Sequence, residues 1–425
     1  MGMGWGFPLA HPQETPTVPS FAFAFTLPMN PQVSRFSYIA LLLCGLSVSG
    51  PSTRAADATS AATAARDSGA PMFGAGASSP IVSADRRVTF NLTAPTARKV
   101  QLTSPDFNLS GGTIEFVNLG PEFKNDGKGN WSVTVGPLNP GLFRYTFLVD
   151  GVSTVDLRNP DSAEDLSGVE SILRVPGADF MDIKNVPHGT VSQVWYYSTT
   201  LGRTRRMTVY TPPGYNAGTG KLPVFYLLHG AGGSDGAWVA VGNANFILDN
   251  LIAAKKAVPM IVVMPDGHLG STFDVATMGK DAFADDFLKD IVPYVEKNYR
   301  VTANRANRAI AGLSMGGAQT LSISLPHLDM FSAIGVFSSG LFNGADDPMV
   351  KANAAALDNP ALKKGLKLFW TAIGKNDPIA MPGNDAMLKV LKEHGFKVDS
   401  HTTDGAHDWV NWQKYLNEFT PLLFK

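Results

Sequence analysis

The chain reads as an α/β protein: an open, mostly parallel sheet covered by helices on both faces, with a smaller all-β region before it. Three observations predict this. Near-continuous apolar runs alternate with helical segments after residue 190, which is the pattern of strands buried on both faces. The run Ala309-Ile310-Ala311 leads directly into Gly312-Leu313-Ser314-Met315-Gly316-Gly317, a strand that turns sharply into a helix. Between residues 88 and 176 the texture is instead one of short alternating runs broken by turn clusters.

The first 58 residues read as a targeting segment. Arg35 is followed by an apolar stretch of 13 residues, Phe36 to Val48, and then by Ala56-Asp57-Ala58. A basic residue, a short apolar core and small residues at a cleavage point make the order of a secretory signal peptide ending at Ala58, and translation starting at Met29 would fit it. The stretch is too short to span a bilayer. The rival reading, a lipid anchor on Cys44, needs a small residue before the cysteine where Leu43 stands. Cys44 is the single cysteine, so cleavage leaves an exported protein without disulfides, secreted or periplasmic.

Residues 59–81 are rich in Ala, Ser, Gly and Pro and read as a flexible linker. From there to residue 176 the runs VTFNLTA, KVQLTS, TIEFVNL, WSVTVGPL, LFRYTFLVDG and SILRVP predict a small β-sandwich, residues 82–176. Trp131 could stack on a sugar ring, but a tryptophan in an alternating strand more often packs in the core. A connector follows at 177–190.

The region 191–425 carries the helical periodicity. Leu222–Leu228, Met260–Met264, Arg308–Leu313, Ala333–Ser338, Leu366–Ile373 and Val398–Thr403 are the expected strands. Asn243–Lys256, Ala282–Tyr299, Met315–Leu325, Asp385–His394 and Trp409–Phe424 are the expected helices. With 425 residues, 44% hydrophobic and 17% charged, the chain can bury a large core, and a formal net charge of −1 gives no basic footprint for nucleic acid.

In such a sheet, functional residues gather at the carboxyl ends of strands. Ser314 is placed there by G-x-S-x-G, where small neighbours allow a strained turn that lifts one hydroxyl clear of the backbone. His229-Gly230-Ala231-Gly232-Gly233 follows the first apolar strand and suits an oxyanion loop. Acyl transfer needs two donors aimed where the carbonyl oxygen becomes negative, and the amides of Met315 and Ala231 are nominated, with Gly232 the alternative to Ala231. Gly374-Lys375-Asn376-Asp377 and Gly405-Ala406-His407 follow later strands. The order is Ser314, Asp377, His407, with intervals of 63 (377 minus 314) and 30 (407 minus 377) residues, which is the α/β-hydrolase order. His407 would act as general base and acid, and Asp377 would orient it. Of the eight histidines, His229 is expected to support the glycine loop, while His268, His327, His394 and His401 have no comparable setting. Asp266, which also ends a strand, ranks below Asp377 as the orienting acid. Trp238, Phe273, Met278 and Trp409 are candidates for an acyl pocket, though aromatic residues in such a domain are more often core. No H-E-x-x-H or spaced Cys/His set suggests a catalytic metal, and no cofactor is expected.

Residues 190 to 425 resemble the esterase D superfamily, which includes feruloyl and acetyl-xylan esterases of carbohydrate esterase family 1, enterochelin esterases and mycolyl transferases. Tyr210-Thr211-Pro212-Pro213-Gly214-Tyr215, Leu227 to Gly230, Met264 to Gly267, Asp290 to Glu296, Gly312 to Gly317 and His407-Asp408-Trp409 with Trp412 carry that resemblance. Residues 82 to 176 resemble the early-set, immunoglobulin-like modules of the glycogen-binding family 48 type, through Gly129 to Val133, Phe143 to Phe147 and Asp156 to Pro160. Together these resemblances imply an α/β-hydrolase serine esterase behind a carbohydrate-type module, acting on an esterified polysaccharide or oligosaccharide such as feruloyl- or acetyl-xylan, without a stable membrane anchor. A siderophore ester is the alternative substrate, and a carbohydrate-binding protein with an inactive hydrolase domain is the non-enzymatic alternative.

Overall fold

The computed structural model describes residues 78–106, 118–270, 282–341 and 343–425. The signal-peptide and Cys44 readings, nearly all of the 59–81 linker, and Phe273 and Met278 lie outside the described residues, as does most of TIEFVNL.

Among the described residues, antiparallel strands build the N-terminal region: β1 Ile81–Val82, β2 Val88–Thr93, β3 Val100–Ser104, β4 Asn118–Glu122, β5 Lys124–Asn125, β6 Asn130–Val135, β7 Gly141–Val149, β8 Val152–Thr154, β9 Ser162–Asp165 and β10 Gly168–Val175. They form one sheet of order β1-β2-β6-β5 and another of order β4-β3-β7-β10-β9, with β8 beside β7. Alternate residues of both sheets, including Val88, Phe90, Val100, Leu102, Tyr145 and Phe147, meet in one core. Trp131 belongs to that core at 7% exposure, and its indole N–H donates to the Ala94 carbonyl at 3.0 Å.

The remaining strands, β11 Thr190–Ser198, β12 Arg203–Thr211, β13 Val224–Leu228, β14 Ile261–Pro265, β15 Arg308–Leu313, β16 Ala333–Phe337, β17 Leu368–Gly374 and β18 Asp399–Thr403, form a single sheet. Its order is β11-β12-β14-β13-β15-β16-β17-β18, parallel from β14 through β18 and antiparallel at the β11 and β12 edge. Strands β13 to β17 are buried almost throughout, which is why they read as unbroken apolar runs. The edge pair β11 and β12 escaped that reading because Thr, Ser, Gln and Arg interrupt it and much of β11 faces solvent. Helices occupy Ala244–Ala253, Phe283–Asn298 with a π turn at Phe287–Ile291, Met315–Ser324, Met381–Glu393 and Trp409–Phe419.

Two family-like motifs have structural work. Asp290 accepts the amides of Thr199 and Thr200, both at 3.0 Å, and so caps the β11–β12 turn. Burial raises its pKa, but the bonds from Thr199 and Thr200 win and hold the carboxyl down at about 2. Tyr215 accepts the Arg300 amide at 2.9 Å while the Arg300 guanidinium sits 3.9 Å from its ring centre.

The N-terminal sheets pack on the α/β sheet rather than standing apart from it. Leu142, Ala163 and Ile172 share a core with Trp238, Ile247, Trp409 and Trp412. The 177–190 connector is docked along the helix Ala244–Ala253, where Asn250 Nδ2 donates to the carbonyls of Phe180 at 3.1 Å and Asp182 at 3.0 Å. Asp249, wholly buried in that helix, accepts Gly189 N at 2.9 Å and Tyr210 Oη at 2.7 Å.

Strand β12, next to the edge strand β11, is joined to its covering helix by a buried ion pair. Arg205 Nε lies 3.3 Å from Asp286, whose side chain is fully buried and also accepts Tyr196 Oη at 2.7 Å. Removing one partner leaves an uncompensated buried charge. Arg205→Leu is therefore expected to cost about 3–5 kcal/mol in urea unfolding, and Arg205→Leu with Asp286→Leu to recover most of it.

Candidate active site

The parallel register brings the candidate residues together. Leu228, the last residue of β13, pairs with Gly312 on β15, so the loop 229–233 begins beside the turn at Ser314. Gly374, at the end of β17, pairs with Thr403 on β18, which sets the loops carrying Asp377 and His407 side by side. Those two loops are joined directly, Lys375 N donating to Thr403 O at 2.8 Å and Asn376 N to Gly405 O at 3.0 Å.

Ser314 has φ 50° and ψ −118°, a conformation that L-residues adopt only under constraint and that costs about 1–3 kcal/mol. The constraint is packing. A Cβ on Gly316 would lie 2.4 Å from the His229 carbonyl oxygen, and one on Gly312 would lie 2.3 Å from the Gly316 backbone. The turn is also tied to the next strand, Ser314 N donating to Phe337 O at 2.9 Å.

From this turn a line of hydrogen bonds runs inward. Ser314 Oγ and His407 Nε2 are 2.9 Å apart, and His407 Nδ1 lies 2.8 Å from Asp377 Oδ2. Asp377 is buried, and its other oxygen accepts the amides of Ala380 at 2.9 Å and Ile379 at 3.2 Å. That pairing leaves Asp377 acceptor-only toward the imidazole, so His407 holds its proton on Nδ1 and offers the Nε2 lone pair to the serine hydroxyl. Trp412 packs edge-on against the imidazole at 5.1 Å. Asp408 caps the helix Trp409–Phe419 by accepting Asn411 N at 2.9 Å, and Asp404 pairs with Lys375 at the surface.

Asp266 does not approach His407. It lies 3.5 Å from His229 and accepts the His268 amide at 3.0 Å. Trp238 and Trp409 are core residues, stacked edge-to-face at 5.3 Å, with the Trp238 indole N–H donating to Leu228 O at 3.0 Å.

The loop after β13 is held one peptide plane at a time. Gly230 O accepts His229 Nδ1–H at 2.8 Å and Gly233 N–H at 3.1 Å. In a trans peptide the C=O and the following N–H point in opposite directions, so fixing Gly230 O also fixes the Ala231 N–H. The next amide, Gly232 N–H, donates to His268 Nε2 at 3.1 Å. The Gly232 amide is thus engaged, whereas Ala231 N–H, like Met315 N–H at the start of its helix, has no acceptor among the described residues. His229 is held from both ring nitrogens, Nδ1 donating to Gly230 O and Nε2 accepting Gly267 N–H at 2.8 Å.

His268 is the residue that sequence reasoning passed over. Nothing near it in the chain marks it, because its partner Gly232 is thirty-six positions away. Arg205 places it by donating to the carbonyls of His268, at 2.9 Å, and Asp266.

A serine hydroxyl hydrogen-bonded to a half-buried imidazole that is backed by a buried carboxylate, beside two unengaged amides, can attack an acyl carbon and receive the resulting oxyanion. The Esterase family model matches residues 198–423. Over 371 residues, 84% of this chain, the sequence is 30% identical to an endo-1,4-beta-xylanase/feruloyl esterase of Xylanibacter ruminicola, 47% of which is covered. It is 28% identical over 250 residues to endo-1,4-beta-xylanase Y of Acetivibrio thermocellus, covering 53% of this chain and 22% of that one. The chain thus spans about half the length, or less, of these curated relatives. Among solved structures, a CE1 ferulic acid esterase of Anaeromyces mucronatus superposes with TM-score 0.51 at 22% identity, covering 59% of this chain and 96% of that one. An enterobactin esterase of Shigella flexneri gives 0.54 at 19% identity, covering 79% and 92%. At these identities the shared property is the fold.

Burial lowers the His268 pKa from 6.5 to about 4, so its Nε2 lone pair stays available to Gly232. As pH falls the unfolded chain takes up this proton first, so the contribution of neutral His268 is complete above pH 6.5 and is lost between 6.5 and 4. The unfolding free energy of the wild type should fall over that window by up to about 3 kcal/mol more than that of His268→Asn, measured by urea titration at each pH.

Proposed function

Because the chain belongs to the Esterase family of carboxylic ester hydrolases, we propose that it is an exported serine esterase that removes acyl groups, feruloyl or acetyl, from plant polysaccharide such as xylan. The observation that carries the mechanism is the hydrogen-bonded line Ser314 Oγ, His407, Asp377, with contacts of 2.9 and 2.8 Å. His407 Nε2 takes the Ser314 proton as Oγ attacks the ester carbon. The Met315 and Ala231 amides hold the oxyanion, and Asp377 stabilises the imidazolium. Collapse of the tetrahedral adduct releases the sugar alcohol, which receives the proton from His407. Water, deprotonated by the same nitrogen, then frees the acid and restores Ser314.

Support for the substrate class comes from the xylanase/feruloyl esterase relative, which matches over 84% of this chain. The N-terminal region is read as an early-set, immunoglobulin-like module, and export as the work of the segment ending at Ala58. Trp131, buried in its own sheet pair, is not the sugar platform of that module.

Ser314→Ala and His407→Ala are each expected to lower kcat on p-nitrophenyl acetate by at least about 10⁴-fold, and Asp377→Asn by about the same factor through the wrong imidazole tautomer. Methyl ferulate, acetylated xylan and a catecholate siderophore ester, compared by kcat/KM and by products released from native cell wall, assign the acyl group. Preference for the catecholate ester would refute the polysaccharide reading.

A further inference from the structure

The loop that carries Ala231 is held on one side by its own domain and on the other by the N-terminal sheets. The tip of the β9–β10 hairpin reaches it directly: Leu166 N–H donates to the Gly232 carbonyl at 2.6 Å. Two further ties flank that bond. Ser234 Oγ donates to the Glu164 carbonyl at 3.1 Å, and the Glu164 carboxylate pairs with Arg206. Arg206 in turn donates through Nε to Asp235 at 2.8 Å, and the buried Asp235 also accepts Thr208 Oγ1 at 2.8 Å. The hairpin tip is itself stiff, because Asp165 Oδ1 accepts the amides of Ser167 at 2.7 Å and Gly168 at 2.8 Å.

Three successive peptide units are therefore pinned in order. His229 holds the plane between Gly230 and Ala231, His268 the plane between Ala231 and Gly232, and Leu166 the plane between Gly232 and Gly233. Gly232 has φ +80° and open space around its Cβ position, so side-chain packing does not hold it in place. Among the described residues, hydrogen bonds hold the two peptide planes of this glycine: Gly232 N–H to His268, Gly233 N–H to Gly230 O within the loop, and Leu166 N–H to Gly232 O from the N-terminal region. A cleft of about 390 Å³ lies beside the contact, lined by Glu164, Leu166, Val169, Arg206, Ser234 and Asp266.

We infer that the β9–β10 hairpin is a positioning element of the acyl-transfer site: through Leu166, and through Glu164 with Ser234, it holds the loop that presents the Ala231 amide to the oxyanion. This rests on the esterase reading above and adds a duty to the N-terminal region that is independent of carbohydrate. An oxyanion donor acts by being in place before charge develops, so freeing its loop lowers kcat while leaving ground-state binding nearly unchanged.

The test uses the full chain and p-nitrophenyl acetate, a substrate with no sugar. Leu166→Pro deletes the amide donor, Glu164→Ala with Ser234→Ala deletes the flanking ties, and Ser234→Thr keeps the hydroxyl. Leu166→Pro and the double variant are expected to lower kcat roughly ten-fold with KM within about two-fold of wild type, and to weaken a tetrahedral boronic acid inhibitor by the same factor as kcat. Ser234→Thr should retain wild-type values. If Leu166→Pro does not fold, the double variant decides, because Glu164 is half exposed. Wild-type kcat and inhibitor affinity in the folded variants would overturn the inference, as would a loss expressed in KM alone. A wild type without esterase activity, or undiminished turnover by Ser314→Ala, would defeat the esterase reading itself, and the inference would fall with it.

Discussion

The site depends on one close approach, that of the Gly316 backbone to the carbonyls of Leu228 and His229. A methyl group at Gly316 would sit 2.7 Å from the Leu228 oxygen and 2.4 Å from that of His229, so the helix Met315–Ser324 can start where it does only without a side chain there. That contact joins the end of β13 to the turn after β15, which are paired in register from Val224 and Arg308 onward. It forces the Ser314 backbone to φ 50°, exposes the Met315 amide at the head of a helix, and brings Gly230 against the same turn. The strain of about 1–3 kcal/mol at one serine is small beside the burial of β13 and β15, whose residues are nearly all removed from water.

Around that contact the polar groups divide into two sets. One is the line from Ser314 through His407 to Asp377, in which every acceptor on the buried carboxylate has a donor. The other is a support that never touches the serine: Arg205 positions His268, His268 holds Gly232, and Leu166 holds the next carbonyl. Arg205 is itself fixed by the buried Asp286, so a charge on the covering helix reaches the glycine loop through three contacts. Buried polar chains of this kind are costly when broken, because each unpartnered group then carries its full desolvation penalty.

The parts visible in the sequence are those whose signal is local. Strands β13 to β17 announced themselves because burial on both faces leaves them almost wholly apolar, with Arg308 and Thr371 the polar exceptions, and the turn at Ser314 because only small residues fit beside it. Asp377 and His407 were found by their order and by their place after strands. The missed parts are those whose cause is distant in sequence. Strands β11 and β12 look polar because β11 has an exposed face and β12 spends its arginines on Asp235, Asp266 and Asp286. His268 gains its role from a glycine in another loop, and nothing local in the sequence shows that the Gly232 amide is taken up by that imidazole. Trp238 and Trp409 stand in motif-rich segments, yet they fill the space between sheet and helix.

The central claim is that Ser314 Oγ is the atom that carries the acyl group. Rapid quenching of the enzyme during turnover of a p-nitrophenyl ester, followed by mass spectrometry of its peptides, measures this directly. The acyl mass is expected on the peptide containing Ser314, at close to one per chain in the burst phase of the wild type. Turnover with no acyl adduct, or an adduct on a residue other than Ser314, would contradict the account.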